Sequence, residues 1–355
     1  MALDTPALMV DLDVMQANIE RIANACKAAG IAWRPHMKGI KIPAIAHKAI
    51  KAGALGVTCA KLGEAEVMAA SGIGDILVAN QIVGAPKIAR LTGLQRHAHV
   101  KVLVDNRENV SDLAAAAREA NVRLPVAIEV DIGLSRSGVA PGEQAVELAK
   151  HIATERALEF VGIVAWEGHA TSIENPQKKI AEVEKSVALL TDTAALLRRS
   201  GFATPIVSCG GTGTYLITAK LPGVTEVQAG GGILSDVRYR TKFHVDHPYA
   251  LTILSTVISR PNDRRIICDA GKKTMSHDAA VPIPIGLKDV ASISFSAEHS
   301  RINLDASNAD IKVGDKIEFV VGYGDTTVLL HDDLIGMRDD RVEIVWPILG
   351  RGKLR

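Results

Sequence analysis

From about residue 31 to about residue 230, short β-branched runs alternate with longer Ala-rich stretches whose apolar residues recur at helical spacing. The runs are IAWRPHM, LGVTCA, DILVAN, HVKVLV, PVAIEV, FVGIVAWEG, PIVSCGG and TEVQAG, a count of eight strands. Between them lie helical candidates such as KIPAIAHKAIKAG, GEAEVMAASG, NVSDLAAAAREAN and GEQAVELAKHIATE. Eight strand and helix pairs in so short a stretch predict an α/β fold with a (β/α)8 TIM barrel, and fit an open doubly wound sheet less well. After about residue 240 the texture changes to strand-like runs separated by turn residues: YALTILSTVIS, RRIICDAG, ASISFS, DKIEFVVG and RVEIVWPIL. A β-rich C-terminal domain, a barrel or a sandwich, is expected there. The boundaries read as 15–242 for the barrel and 1–14 plus 243–355 for the β domain. The run PALMVDLDV falls outside the barrel count and either adds a strand to the β domain or plugs the barrel from below.

Composition removes several function classes. Lys plus Arg number 41 against 40 Asp plus Glu, and aromatic residues make up 3%. A nucleic-acid binder needs a basic face or stacking platforms, so no nucleic-acid partner is expected. No apolar run approaches the roughly 20 residues that span a bilayer, so no membrane role is expected either. The opening segment carries Asp4, Asp11 and Asp13 where an export signal carries a basic segment. The four cysteines, Cys26, Cys59, Cys209 and Cys268, lie far apart without paired spacing. Reduced thiols and a cytoplasmic location follow as expectations.

In a parallel barrel the loops after the strands converge on one face, so chemistry-bearing residues belong just after the strands. Lys38 follows the first run, Asn80 and Gln81 the third, and Arg136 the fifth; Glu167 and His169 follow the sixth in WEGHA. The Gly-rich SCGGTGTY and QAGGG follow the seventh and eighth, where backbone N–H groups unobstructed by a Cβ can crowd a phosphate and a following helix adds its positive end. Gly210, Gly211, Thr212 and Gly230 are the candidates, against the simpler reading of tight turns. Lys38, flanked by Arg34 and His36, suits an amine whose pKa is lowered by burial and neighbouring cations. Lys41 competes with it but reads as the start of the helix KIPAIAHKAI. An amine and a phosphate cradle at one barrel mouth suggest pyridoxal 5'-phosphate.

The motifs RPHMK, LGEAE, GLSRSG, WEGHA, GGTGT, CDAGKK, SAEHS and the tail YGDTTVLLHD with RVEIVWPILGRGKL resemble the D-threonine aldolase and D-serine dehydratase family, which is alanine-racemase-like, of fold type III among pyridoxal-phosphate enzymes. The resemblance runs from DTPALMVDLD to the last residues. It implies a barrel followed by a β domain in a homodimer. It makes Lys38 the lysine that carries the cofactor, Arg136 the arginine near its phenolic oxygen, and Gly211, Thr212, Gly230 and Gly231 its phosphate contacts. Gln228 becomes the partner of the ring nitrogen, where a neutral amide leaves a weaker electron sink than a carboxylate does. His169 corresponds to the histidine beside the substrate hydroxyl and is expected to act as general base. For His299 structural and functional readings stand level.

The family holds a divalent cation through a His-x-Asp or His-x-Cys pair, aligned here with Tyr323-Gly324-Asp325. A protonated phenol is a poor ligand, so Asp325 is left as a weak or absent metal site, suited to Mn2+ or Mg2+ if occupied, with His331 and Asp332 as possible substitutes. The expected activity is retro-aldol cleavage of a D-configured β-hydroxy-α-amino acid, D-threonine-like, to glycine or a related small amino acid plus an aldehyde. Its rivals are a D-serine-like dehydratase, a racemase, for which no clear opposite-face tyrosine is found, and a non-catalytic pyridoxal-phosphate carrier.

Overall fold

The computed structural model describes residues 3–355. They divide into two compact units: a sheet unit running through Ile19, with Gly39–Ile42 and Gly231–Arg351, and a barrel unit of Glu20–Lys38, Pro43–Gly230 and Gly352–Arg355.

The first strand, β1 (Ala7–Asp11), belongs to the sheet unit. The barrel unit contains β2 (Ala32–Trp33), β3 (Val57–Cys59), β4 (Asp75–Gln81), β5 (His99–Val104), β6 (Leu124–Glu129), β7 (Leu158–Val164), β8 (Ile206–Cys209) and β9 (Glu226–Val227). They pair in parallel along the path β2-β9-β8-β7-β6-β5-β4-β3. Backbone bonds from Thr58 N to Pro35 O and from Met37 N to Thr58 O, both at 2.9 Å or less, close the ring between its first two strands. All eight expected strands are present, and the fold is the expected barrel. Strands covered on both faces carry near-continuous apolar runs, and every residue of β6, LPVAIE, is buried, with Glu129 at its end the one charged residue.

Arg34 corrects one expectation. Its buried guanidinium bonds Glu226, at 3.2 Å, and Asp75, the first residues of β9 and β4. Lys101 joins the same Asp75 carboxylate at 2.9 Å. Burial pushes the Asp75 carboxyl up, but the two cations outweigh it and hold it below its usual value. Arg34 is thus engaged at the strand starts, the opposite end from the residues after the strands, and is not the cation that tunes Lys38. Lys41 also departs from its reading: the helix begins at Pro43, while Lys41 precedes it with φ 61° and its carbonyl accepts from Gly350 N at 2.9 Å.

The sheet unit adds β10 (Leu251–Asn262), β11 (Arg265–Cys268), β12 (Ile283–Pro284), β13 (Val290–Phe295), β14 (Ser300–Leu304), β15 (Lys316–Val320), β16 (Asp333–Arg338) and β17 (Arg341–Pro347). With β1 they form a nine-stranded sheet, its main path β13-β14-β11-β10-β1-β16-β17. β1 runs antiparallel to β10 and parallel to β16, so the opening run is a strand of the sheet and not a plug. The long β10 pairs with β1 and β15 over residues 251–256 and with β11 beyond them, where its register with β11 shifts twice. Among the described residues no helix is long and apolar enough to cross a membrane.

Candidate functional site

Within the barrel unit the segment Trp166-Glu167-Gly168-His169, just after β7, organises the loops around it. The Lys38 ammonium lies 5.4 Å from the centre of the Trp166 ring and the Arg136 guanidinium 5.5 Å from it, both in cation–π range. Gly211 approaches the same indole so closely that a Cβ there would stand 3.0 Å from Nε1. An amine after β2, a guanidinium after β6 and the Gly-rich turn after β8 therefore meet on one aromatic ring. Arg136 is further held by Glu129 Oε1 at 3.4 Å, and Glu129 accepts from Gln81 Nε2 at 2.5 Å. The loop carrying Arg136 is shaped by Asp131, whose Oδ1 accepts from the N–H groups of Gly133 and Ser135, both at 3.0 Å. Gly133 sits at φ 122°, where a side chain would be strained and would meet the His169 ring.

The Gly-rich turn is held from inside. Gly210, at φ 76°, donates its N–H to Glu167 Oε2 at 3.2 Å, and the Thr214 and Thr218 hydroxyls donate to Glu167 Oε1 at 2.7 and 2.6 Å. The Gly210 donor is thus spent on Glu167 and is removed from the phosphate candidates, while Glu167 is an organiser of the turn. Thr212 is buried in the same turn. The helix after it, Tyr215–Thr218, has a single turn, and Gly231–Ile233 after β9 is only a 3-10 turn. The expected helix macrodipole is therefore small, and backbone N–H groups carry any anion binding there. Gln228 donates its amide to Ser208 Oγ at 2.9 Å. Gly230 presses against the backbone of His36, which leaves no room for a Cβ. Gly231 lies in the sheet unit, against the Tyr239 hydroxyl.

His169 lies on the 3-10 turn Gly168–Ala170. Its Nε2 is 3.2 Å from Glu182 Oε1 and 3.2 Å from Ser186 Oγ, both on the helix Pro176–Arg199. An ionised carboxylate only accepts, so Nε2 carries the proton and Nδ1 keeps its lone pair in the neutral ring. That Nδ1 is shielded from solvent and has no hydrogen-bond partner among the described residues. A histidine oriented by a carboxylate, with its second nitrogen uncommitted, is equipped to take a proton.

In the sheet unit Asp325 stands against the backbone of Gly39, the residue after Lys38. The Tyr323 hydroxyl donates to Asp325 Oδ2 at 2.9 Å, and the Arg238 guanidinium lies 4.6 Å from the Tyr323 ring centre. Burial and the Asp325 charge push the Tyr323 phenol well above its ordinary value, which keeps it protonated and a poor ligand. His331 does not rescue the site, because its Nε2 lies 2.7 Å from Thr274 O; nor does Asp332, which pairs with Arg351. Among the described residues no group of three His, Cys, Asp or Glu is placed to hold a metal ion. With the Tyr323 phenol protonated and donating, Asp325 is the oxygen donor that remains of the pair. His299 is exposed near Ser296.

Sequence reasoning missed Trp166, Glu182 and the hydroxyls of Thr214 and Thr218. Trp166 was visible inside WEGHA, next to the two residues singled out. Glu182 had no signal, because AEVEKS reads as a solvated helix face. The amine, guanidinium and glycine turn gathered on Trp166 fit the aldehyde, phenolic oxygen and phosphate of pyridoxal phosphate.

Comparison with known proteins follows the same lines. Residues 10–236 match the family described as alanine racemase, N-terminal domain, and residues 250–337 match a serine dehydratase domain. The chain is 34% identical over 369 residues to the 3-hydroxy-D-aspartate aldolase of Paracoccus denitrificans (strain Pd 1222), covering 99% of this chain and 93% of that one. It is 34% identical over 281 residues to the D-threo-3-hydroxyaspartate dehydratase of Delftia sp. (strain HT23), covering 78% and 74%. The crystal structure of D-threonine aldolase from Filomicrobium marinum matches with a TM-score of 0.96 at 32% identity, covering 99% of this chain and 97% of that one. With its barrel, its β-rich second unit and these length-spanning relatives, the chain belongs to the alanine racemase-like family, in the group of D-threonine aldolases and D-serine dehydratases.

Proposed function

We propose that the protein is a pyridoxal-phosphate-dependent aldolase that cleaves the Cα–Cβ bond of D-configured β-hydroxy-α-amino acids to glycine or a related small amino acid plus an aldehyde. The observation that carries this reading is the meeting of Lys38, Arg136 and Gly211 on the Trp166 ring. Relatives named as aldolases of 3-hydroxy-D-aspartate and of D-threonine, at 34% and 32% identity, support the reaction class. Lys38 would anchor the cofactor through its amine, with Arg136 and Gln228 at the ring and Gly211, Thr212 and Gly230 at the phosphate. When bound, pyridoxal phosphate supplies the electron sink for the charge left on Cα.

The remaining work falls to the chain. Trp166 gives Lys38 and Arg136 a common apolar floor that holds both cations in place. His169 takes the β-hydroxyl proton at Nδ1, while Glu182 and Ser186 hold Nε2. Asp325, bound to the Tyr323 hydroxyl, is assigned no metal-holding role, so the proton step rests on His169. The four cysteines are buried and lie far apart without paired spacing, which supports a reducing, cytoplasmic setting, and the family resemblance supports a homodimer.

The test is a product assay on the purified holoenzyme with D-threonine, D-phenylserine and D-3-hydroxyaspartate, with and without chelator. Release of an aldehyde and glycine, undiminished by chelator, is the expected result. An α-keto acid with ammonia would make the protein a dehydratase, and silence on all three would favour a cofactor carrier. Inactivation by chelator that Mn2+ reverses would overturn the metal-independent part of the reading alone.

A further inference from the structure

We propose that Glu167 is the positioning residue that holds the Gly-rich turn after β8 in the shape that receives the cofactor's phosphate. The inference rests on the pyridoxal-phosphate reading above. Glu167 is fully buried, and a buried carboxylate is retained only where hydrogen bonds replace its lost hydration. Its bonds all go to one stretch of chain: the Gly210 N–H at 3.2 Å, the Thr214 hydroxyl at 2.7 Å and the Thr218 hydroxyl at 2.6 Å. Thr214 Oγ1 also accepts from Gly211 N at 3.3 Å, so the carboxylate reaches the second glycine through it.

These bonds fix the start of the turn, its end and the short helix beyond it, at positions 210, 214 and 218. The stretch Gly211-Thr212-Gly213 is suspended between pinned ends. Three glycines in a turn of this length, at 210, 211 and 213, otherwise leave it many conformations, and an anion site built from backbone N–H groups works only if those groups already converge. Glu167 carries the charge of the phosphate itself, so it gives no direct attraction. Its contribution is geometric, made before the ligand arrives.

The ligand pair that isolates this role is pyridoxal phosphate and pyridoxal, which share the aldehyde and the ring and differ in the phosphate. Cofactor-free full-length protein is titrated with each and followed by absorbance. Glu167→Gln keeps an oxygen for the threonine hydroxyls but sets an NH2 group against the Gly210 N–H. It should weaken pyridoxal phosphate roughly tenfold or more, the scale of one charged hydrogen bond, and change pyridoxal by less than about twofold. Thr218→Val, which removes one hydroxyl bond and no charge, should show the same selectivity to a smaller degree and carries the test if the first variant does not fold. Unchanged affinity for pyridoxal phosphate, or equal losses for both aldehydes, would overturn the proposal. Wild-type protein that binds neither aldehyde would remove the cofactor reading and this inference with it, whereas normal wild-type binding and an unaffected Glu167→Gln variant would remove this inference alone.

Discussion

At the residue scale, a side chain's work here is set by which partner its polar atom has already spent. His169 has committed Nε2 to Glu182 and Ser186 and kept Nδ1, so the ring has one nitrogen for chemistry. His169→Ala should leave the cofactor bound and lower kcat for β-hydroxy substrates by about 10², the usual scale for a general base. Glu182→Leu should lower kcat by roughly tenfold with KM little changed, and Glu182→Gln, whose amide oxygen still accepts from Nε2, should recover part of that loss. Equal kcat in wild type and both Glu182 variants would leave the histidine unassisted. These residues were unequally legible. Lys38, Arg136 and His169 follow strands in motifs, so position and chemistry pointed the same way. Glu182 lies thirteen residues from His169 on a helix with an ordinary charged face, and only the bend of the chain over residues 171–175, between the 3-10 turn and that helix, brings the two together. Arg34 misled for the converse reason: it is near Lys38 in sequence, but its side chain pairs with the first residues of β4 and β9.

Among the elements, the barrel strands were readable because burial on both faces forces continuous apolar runs, while the sheet unit was only partly so. β14 (SRINL) and β16 (DLIGMR) carry arginines and a half-exposed pattern, and neither stands out as a strand in the letters. The helices after β8 and β9 are shorter than barrel regularity suggests, which moves anion binding from helix dipole to backbone. One short helix, Val237–Thr241, yields a prediction of its own. Its N-cap Asp236 accepts from Tyr239 N at 2.9 Å and from Gly324 N at 2.7 Å, tying this helix to the one that carries Asp325. Burial pushes the Asp236 carboxyl up to about 7, against the pull of those two N–H groups. A native pKa above the unfolded value means the folded chain binds the proton more tightly. The contribution is therefore fully present below the unfolded value near 4 and is lost as pH rises through about 7, on the order of a few kcal/mol in all. Calorimetry should find Tm falling between pH 5 and pH 8, with a shallower fall in Asp236→Asn. Identical slopes in both proteins would mean that this carboxyl does not titrate in that window.

Over the whole molecule, the two ends of the chain build one sheet. β1 lies between β10 and β16, with Val10 opposite Leu251 on one side and Gly336 on the other, so a central strand comes from more than 200 residues upstream of its neighbours. The sequence left this run open between a strand and a plug because its pattern, ALMVD, states burial without naming a partner. Leu8, Met9 and Val10 are all buried, each worth about 1.5–3 kcal/mol against a typical total stability of about 5–15 kcal/mol. Without β1, β10 and β16 would each present an unpaired row of backbone N–H and C=O groups in the middle of the sheet, a cost that side-chain repacking does not repair. A fragment of residues 231–355 should therefore fail to unfold cooperatively and should aggregate, although it contains every other strand of the sheet. The same fragment joined through a flexible Gly/Ser linker to residues 3–19 should regain sheet signal by circular dichroism and a cooperative melt. Cooperative folding of 231–355 alone would show that β1 only borders a sheet that forms without it. Recovery only on fusion would make closure of the longest loop in the chain a condition for completing the unit that carries Tyr323 and Asp325.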